Sequence, residues 1–297
     1  MTEAGQQKDY LIRGTAYNGK VRVFAVRTTQ LVDELRRRHG TYPTATAALG
    51  RTASAAAMMG AMLKGEEKLT IQVKGNGPLG QIVVDANAYG EVRGYVNNPE
   101  VHLPSNAQGK LDVAGAVGRE GFIYMIKDLG LKEPYRGSTP IVSGELAEDF
   151  TYYFAKSEQT PSAVGLGVLV DTDGSVIEAG GFIIQLLPGL TDEEITKIEN
   201  ALGVLPTVTT LLNQGMDLDE MLRQIVDDVQ IMDQMDIQFR CQCSRDRVET
   251  TLLSLGKSAI EQLIADDEQA EVICHFCNEP YQFNREELAA LLERATK

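Results

Sequence analysis

The sequence is poor in the features that mark membrane proteins and enzymes. Its 297 residues contain no uninterrupted apolar run of about 18 residues, the length that a transmembrane helix needs. The first ten residues, MTEAGQQKDY, lack the apolar stretch of a secretory signal, so we expect a cytoplasmic chain with no membrane partner. Only three histidines are present, and no nucleophile motif accompanies them. We therefore expect no enzymatic activity.

Acidic residues outnumber basic ones, 42 against 28, which gives a net charge of −14. This excess argues against nucleic acid as a partner, because phosphate contacts need clustered Lys and Arg. The charge is also uneven: residues 1–187 are almost neutral, residues 188–240 carry a net −8 and residues 241–297 a net −5. We expect a domain boundary near Pro188-Gly189.

Residues 1–187 predict an α+β domain with a mostly antiparallel sheet and packed helices. Apolar and polar residues alternate in several short segments separated by Gly, Asn and Pro, which is typical of strands joined by turns. Asn18-Gly19 predicts a type I′ hairpin turn within residues 9–27. A helix is expected over 29–39, and the segment TATAALGRTASAAAMMGAMLKG is apolar on most sides, which predicts a helix buried against the sheet. The glycines of Gly75-Asn-Gly77-Pro-Leu-Gly80 fit a hairpin turn better than a dinucleotide site, because a strand pattern follows them.

Residues 188–240 predict an acidic, amphipathic helical linker without strands. Thr191 and Glu194 form a capping-box pattern, and Asp217 is placed to cap a further helix. An apolar stripe follows Asp217 with helical spacing, and its opposite face is charged. This stripe is a candidate surface for binding partners and consists of Leu218, Met221, Leu222, Ile225, Val226 and Val229.

All four cysteines lie within residues 241–297, a segment that also predicts a helix near 256–265 and a final helix capped by Asn284 and Glu287. They form a C-x-C pair, Cys241 and Cys243, and a C-x-x-C pair, Cys274 and Cys277. Two close pairs of thiolates suit tetrahedral zinc. A segment this short rarely folds without a staple, which disfavours four inert core thiols.

Two other interpretations of these residues are weaker. A thioredoxin-type dithiol would open a helix, whereas a turn signal, Asn-Glu-Pro-Tyr, follows Cys277. His275 could replace one cysteine as a ligand, but with four cysteines available we expect it to be a neighbour of the site or solvated.

Zinc thiolates remain oxidisable, and disulfide formation would consume the ligands. The four cysteines allow three pairings, and the residues alone leave the choice open. Disulfides within each close pair of cysteines would no longer hold the 30-residue loop closed, so the small unit would unfold. A disulfide between the two pairs would keep the loop closed. If the unit unfolds, the apolar stripe of the linker loses part of its cover, and its methionines can adapt to varied partners.

The whole chain resembles the heat shock protein 33 family of redox-regulated chaperones. The resemblance rests on the C-x-C-x30-C-x-x-C pattern with the following Asn278, Tyr281 and Phe283. It rests also on GRTASAAAMMGAMLKGEEKLTIQVKGNGPLG at 50–80 and on SGELAEDFTYYFAKSEQTPSAVGLGV at 143–168.

The resemblance implies a stress-response holdase that works without ATP. It implies a core domain over 1–187, a linker over 188–240 and a redox-sensing domain over 241–297. In the reduced, inactive form the four cysteines hold one zinc ion per chain. The resemblance further implies that oxidation joins Cys241 to Cys243 and Cys274 to Cys277, releases zinc and unfolds the linker. The apolar stripe that follows Asp217 is then the candidate client-binding surface for unfolding proteins. The oxidised form is expected to be a homodimer.

Two other classes of function stay open from the sequence. One is a constitutive zinc-ribbon module that binds RNA or protein. The net negative charge of residues 241–297 argues against RNA as its partner. The other is a thiol oxidoreductase that uses Cys274 and Cys277. Catalytic turnover of a dithiol substrate with zinc still bound would support it.

Overall fold

The computed structural model describes residues 8–267 and 269–295 and divides into two compact units, residues 1–240 and 241–297. The predicted α+β class is confirmed. Within the described residues, every strand pair is antiparallel except the pair formed by Glu91–Val96 and Gln238–Phe239. No helix in these ranges is long and apolar enough to cross a bilayer.

The first unit contains two sheets. The five-stranded sheet has the order β10-β1-β2-β9-β8 and consists of β1 (Tyr10–Ala16), β2 (Val21–Arg27), β8 (Ser162–Val170), β9 (Val176–Leu186) and β10 (Gln230–Asp236). The six-stranded sheet has the order β11-β5-β4-β3-β6-β7 and consists of β3 (Lys68–Gly75), β4 (Gln81–Asn87), β5 (Glu91–Val96), β6 (Gly121–Asp128), β7 (Tyr135–Pro140) and β11 (Gln238–Phe239). The sequence patterns had not indicated β7.

A buried helix joins these sheets into one core. The helices of this region are α1 (Thr29–His39), α2 (Pro43–Gly60), α3 (Val113–Val117) and α4 (Leu146–Lys156). Helix α2 packs against strands of both sheets and is buried along nearly its whole length, which explains its apolar composition on all sides. A Cβ atom on Gly50 would lie 2.6 Å from a methyl group of Val32, so glycine is required where α2 passes Val32 of α1. The prediction of a buried helix is confirmed.

The predicted hairpin turns are present with one difference in length. Gly80 has a positive φ in the predicted β3–β4 turn. A further turn, between β8 and β9, has a positive φ at Gly174. The β1–β2 connection contains Asn18-Gly19 but spans four residues instead of two. The reason is that Tyr17 also takes a left-handed φ of 50°, and its N–H donates to the Asp228 carboxylate at 3.0 and 3.1 Å.

The prediction that residues 188–240 are helical and lack strands is wrong. The segment contains α5 (Asp192–Val204), α6 (Val208–Asn213) and α7 (Leu218–Arg223), followed by β10 and β11. The Thr191 and Asp217 capping boxes are both formed. The helix that starts after Asp217 ends at Arg223, because the following chain adds β10 to the open edge of β1, and tertiary pairing overrides helical propensity.

By its contacts the whole segment lies within the first compact unit. The division of that unit into a core over 1–187 and a linker over 188–240 therefore stays a functional prediction.

The second unit is a small α+β fold. Its elements are α8 (Arg245–Ser254), α9 (Lys257–Asp267), β12 (Gln269–Ile273), β13 (Pro280–Asn284) and α10 (Arg285–Ala295). The predicted helix near 256–265 and the Asn284–Glu287 cap are confirmed, the cap by reciprocal backbone-to-side-chain bonds of 2.9 and 3.0 Å. Helix α8 and the β12–β13 hairpin were not predicted. The small core of the unit surrounds Phe283, Leu288 and Ile260.

Candidate metal centre

Two short segments carry the cysteines. Cys241 and Cys243 lie in the extended chain before α8, whose N-terminus is capped by the Ser244 hydroxyl. Cys274 and Cys277 lie in the turn that joins β12 to β13. Each segment brings its two cysteines close together, so that the second unit presents two pairs of thiols.

Backbone hydrogen bonds close the C-x-x-C turn tightly. The Asn278 N–H donates to the Cys274 carbonyl at 2.7 Å, and the Cys274 N–H donates to the Glu279 carbonyl at 3.0 Å. Asn278 has a φ of 58°, a left-handed conformation that asparagine tolerates better than most residues. Strands flank this turn on both sides. The prediction that Cys274 and Cys277 do not open a helix, as a thioredoxin-type dithiol would, is therefore confirmed.

The four sulfur atoms converge on one point. All four Sγ atoms lie within 4.8 Å of one another. The Cys241 and Cys274 sulfurs are 3.7 Å apart, and the Cys243 and Cys277 sulfurs are 3.2 Å apart. A zinc ion with Zn–S bonds of about 2.3 Å places tetrahedral sulfurs about 3.8 Å apart. The donor set and its spacing therefore fit a metal ion of the zinc type.

Burial controls the protonation of the C-x-x-C thiols. Desolvation raises the pKa of Cys274 and of Cys277 above the usual value for a thiol. Without a metal, both thiols are therefore protonated at neutral pH. Binding of a cation must displace these protons, because a metal takes the thiolate as its ligand.

The surroundings of the sulfurs include a residue that the sequence analysis did not treat as functional. The Tyr281 hydroxyl donates a hydrogen bond of 3.1 Å to the Cys243 sulfur. This bond raises the pKa of Tyr281, so the hydroxyl keeps its proton. The two-residue period of a strand places Tyr281 on the same face as the buried Phe283, a signal that the sequence does contain. His275 is exposed, as one of the two sequence interpretations expected.

The candidate client-binding stripe is buried in the first unit. Leu218, Met221, Leu222, Ile225, Val226 and Val229 are each at most 3 % exposed. They pack with apolar residues of β1, β2 and β9, among them Ile12, Val23 and Ile184. The structure thus brings all six together, although only the first three lie on a helix. The apolar residues that cover the stripe therefore belong to the first unit.

Comparisons with known proteins agree over nearly the whole chain. A family model described as "Hsp33 protein" matches residues 9–284. The 33 kDa chaperonin of Bacillus cereus (strain B4264) is 56 % identical over 288 residues, which cover 96 % of this chain and 99 % of that protein. The 33 kDa chaperonin of Bacillus mycoides (strain KBAB4) is 55 % identical over 289 residues, covering 97 % and 99 %.

A solved structure is also similar to this chain over nearly its whole length. The crystal structure of the 33 kDa chaperonin (heat shock protein 33 homolog) from Thermotoga maritima matches with a TM-score of 0.93 at 39 % identity. The match covers 98 % of this chain and 99 % of that one. The chain therefore belongs to the Hsp33 protein family.

Proposed function

We propose that the protein is an ATP-independent holdase chaperone that oxidation activates. Membership of the Hsp33 family supports the chaperone activity. The observation that carries the redox switch is the convergence of four thiols within 4.8 Å in a unit with only a small apolar core. We place its action in the cytoplasm, on unfolding client proteins, with neither nucleic acid nor membrane as a partner.

In the reduced state, Cys241, Cys243, Cys274 and Cys277 hold one zinc ion. The bound ion supplies structural cross-linking, worth about 10–16 kcal/mol in small zinc domains. In units of this size the hydrophobic core alone rarely gives more than about 3–5 kcal/mol. Folding of residues 241–297 therefore depends on the four thiolates remaining available as ligands.

Oxidation removes these ligands. By the family resemblance, Cys241 pairs with Cys243 and Cys274 with Cys277. Each bridge closes a loop of three or four residues, which stabilises by only about 1.5–2 kcal/mol in the chain-entropy model. This is far less than the cross-linking that is lost, so the second unit unfolds.

The segment 188–240 ends immediately before the first cysteine. Its last anchors include the hydrogen bonds from the Gln238 N–H to the Gly90 carbonyl and from the Arg240 N–H to the Val92 carbonyl, both 3.0 Å. Arg240 also forms an ion pair with Glu91 at 3.1 Å. Strand β11 pairs with β5 over only two residues. If unfolding begins at Cys241, the short β11–β5 pairing is therefore the first to break. Loss of this pairing starts the release of the segment.

Release uncovers two apolar surfaces at once. One is the apolar stripe within residues 218–229, and the other is the face of β1, β2 and β9 that it covers. The segment carries a net −8, which keeps the opened form soluble while its apolar residues bind clients. The newly exposed face also offers a surface for the homodimer that we expect in the oxidised state.

The proposal is tested by client protection without ATP. The reduced, zinc-loaded protein and the same protein treated with peroxide at mildly raised temperature are each added to a thermally unfolding enzyme, and light scattering is recorded. We expect suppression by the oxidised form only, with a dimer in sedimentation. The control variant Cys243→Ser tests whether the intact cysteine set is needed. Equal protection by the reduced wild type would overturn the switch and favour a constitutive module.

A further inference from the structure

The segment 188–240 is rich in methionine, and its methionines differ in exposure. Four of the nine methionines of the chain lie within residues 216–235. On strand β10, Met232 is 71 % exposed, and no other methionine that the structure describes reaches this exposure. On helix α7, Met221 is fully buried. Because a thioether is oxidised only where an oxidant reaches the sulfur, the closed protein presents Met232 to oxidants and protects Met221.

Met221 is protected by tertiary packing. Helix α7 packs on β1 and β2, and Met221 belongs to the apolar cluster that includes Val23 of β2 and Ile184 of β9. The helix has only six residues, and helices of this length are not stable in water on their own. The burial of Met221 therefore lasts only while the segment is docked on the sheet.

We propose that Met221 is a methionine oxidation site that becomes accessible only when the segment is released, and that its sulfoxide then prevents the segment from docking again. This inference rests on the proposed function, which supplies both the release of the segment and the oxidant, a peroxide. Oxidation of Met221 follows that of the cysteines, because a thioether has no thiolate form and is the weaker nucleophile.

The step is the transfer of one oxygen atom from hydrogen peroxide to the Met221 sulfur. A sulfur lone pair attacks the peroxide, the S–O bond forms and the O–O bond breaks. The hydroxide that leaves takes the proton of the transferred hydroxyl group, so the products are methionine sulfoxide and one water. The sulfur is oxidised by two electrons, and one peroxide is reduced.

The sulfoxide group conflicts with the apolar surroundings of Met221. Oxidation makes the side chain polar, whereas the cluster that it would re-enter consists of apolar side chains. A polar group buried without a hydrogen-bond partner typically lowers such a docking equilibrium about 5-fold to 150-fold. At Met232 the added oxygen stays in water, so oxidation there leaves docking unchanged.

Closing the switch therefore requires two kinds of reduction after prolonged oxidation. A dithiol reduces the disulfides and lets zinc bind again, but methionine sulfoxide is reduced only by methionine sulfoxide reductases, one for each epimer. After brief oxidation the dithiol alone closes the protein. After prolonged oxidation the face of β1, β2 and β9 stays partly uncovered until the sulfoxide is removed.

The test oxidises the full chain with peroxide at mildly raised temperature for a short or a prolonged period, and then adds dithiothreitol and zinc. Sulfoxides are mapped by mass spectrometry, and docking is measured by hydrogen exchange over 188–240. After prolonged oxidation we expect sulfoxide at Met221 and exchange about 5-fold to 150-fold faster than before treatment, reversed by the two reductases. Met221→Leu should dock fully after the same treatment, and the control Met232→Leu should behave as wild type.

A second arm without oxidant tests the docking claim alone. In the reduced, zinc-loaded protein, Met221→Gln places a polar group of similar length at the same position. We expect residues 188–240 to exchange about 5-fold to 150-fold faster in Met221→Gln, and at the wild-type rate in Met221→Leu and Met232→Gln. If Met221→Gln accelerates exchange throughout the first unit, the rescue of the oxidised wild type by the reductases decides instead.

Three results would overturn the inference and leave the cysteine switch standing. The first is an unoxidised Met221 in protein whose segment has opened. The second is docking of the Met221-oxidised wild type that equals that of Met221→Leu, and the third is wild-type exchange in Met221→Gln. Zinc release without opening of the segment would instead contradict the proposed function, and the inference would fail with it.

Discussion

The packing of α7 predicts that one core substitution opens the switch without oxidant. Leu222 is fully buried among apolar residues of β1 and β2 and of its own segment. Leu222→Ala leaves a cavity there, and such changes typically cost about 2–5 kcal/mol. If this cost falls on the docked segment, the open form becomes about 30-fold to several thousand-fold more populated. Arg223→Ala is the matched control, because its exposed ion pair with Asp219 is worth about 0.5 kcal/mol at most.

The assay is hydrogen exchange of the reduced, zinc-loaded variants, measured by mass spectrometry alongside client aggregation. For Leu222→Ala we expect faster exchange over 188–240, unchanged exchange in the six-stranded sheet, retained zinc and partial client protection without peroxide. Arg223→Ala should behave as wild type. Faster exchange over 188–240 with no client protection would refute the idea that this segment covers the binding surface. Acceleration throughout the first unit would refute its separate release.

Three further predictions follow from buried groups and caps. Burial raises the pKa of Asp9 from 3.8 to about 6, despite opposing hydrogen bonds from the Leu31 and Gln30 N–H groups. The stabilising contribution of Asp9 is therefore complete below pH 3.8 and lost as the pH rises through about 6. In urea unfolding, the free energy of unfolding of the wild type should fall by about 3 kcal/mol relative to that of Asp9→Asn across this window. An unchanged difference between the two proteins would contradict the burial argument. Chelation should unfold residues 241–297 while the sheets of the first unit keep their exchange protection. Zinc titration in weak buffer should release protons, because the ion binds the cysteines as thiolates. A metal-free second unit that stays folded would count against the staple. Asn284→Ala removes the α10 cap, worth about 1 kcal/mol. Because folding and zinc binding are linked, we expect the affinity for zinc to fall about fivefold in a competition assay. An unchanged affinity would show that the two are not linked.

The sequence predicted those elements whose signals are local. The caps at Thr191, Asp217 and Asn284 depend on residues three positions apart, and all three are formed. The apolar helix α2 was predicted from composition alone, because burial between two sheets leaves no face for polar residues.

The elements that were missed depend on distant partners. Strand β10 exists because β1 offers an open edge more than 200 residues earlier in the chain, and no local pattern reveals such a partner. The same holds for the candidate site: the spacing of the cysteines indicated one metal centre, but the Tyr281–Cys243 hydrogen bond joins residues 38 positions apart. A two-residue period that placed Tyr281 beside Phe283 was the only local sign of it.

The most direct test of the switch is a titration of the reduced, zinc-loaded protein with peroxide at mildly raised temperature. On the same samples, released zinc is measured with a chelator and exposure of residues 188–240 by hydrogen exchange. The account predicts that one zinc ion leaves per chain and that exposure of the segment rises in proportion to it. Full zinc release with 188–240 still protected, or opening of the segment with zinc still bound to all four cysteines, would contradict it.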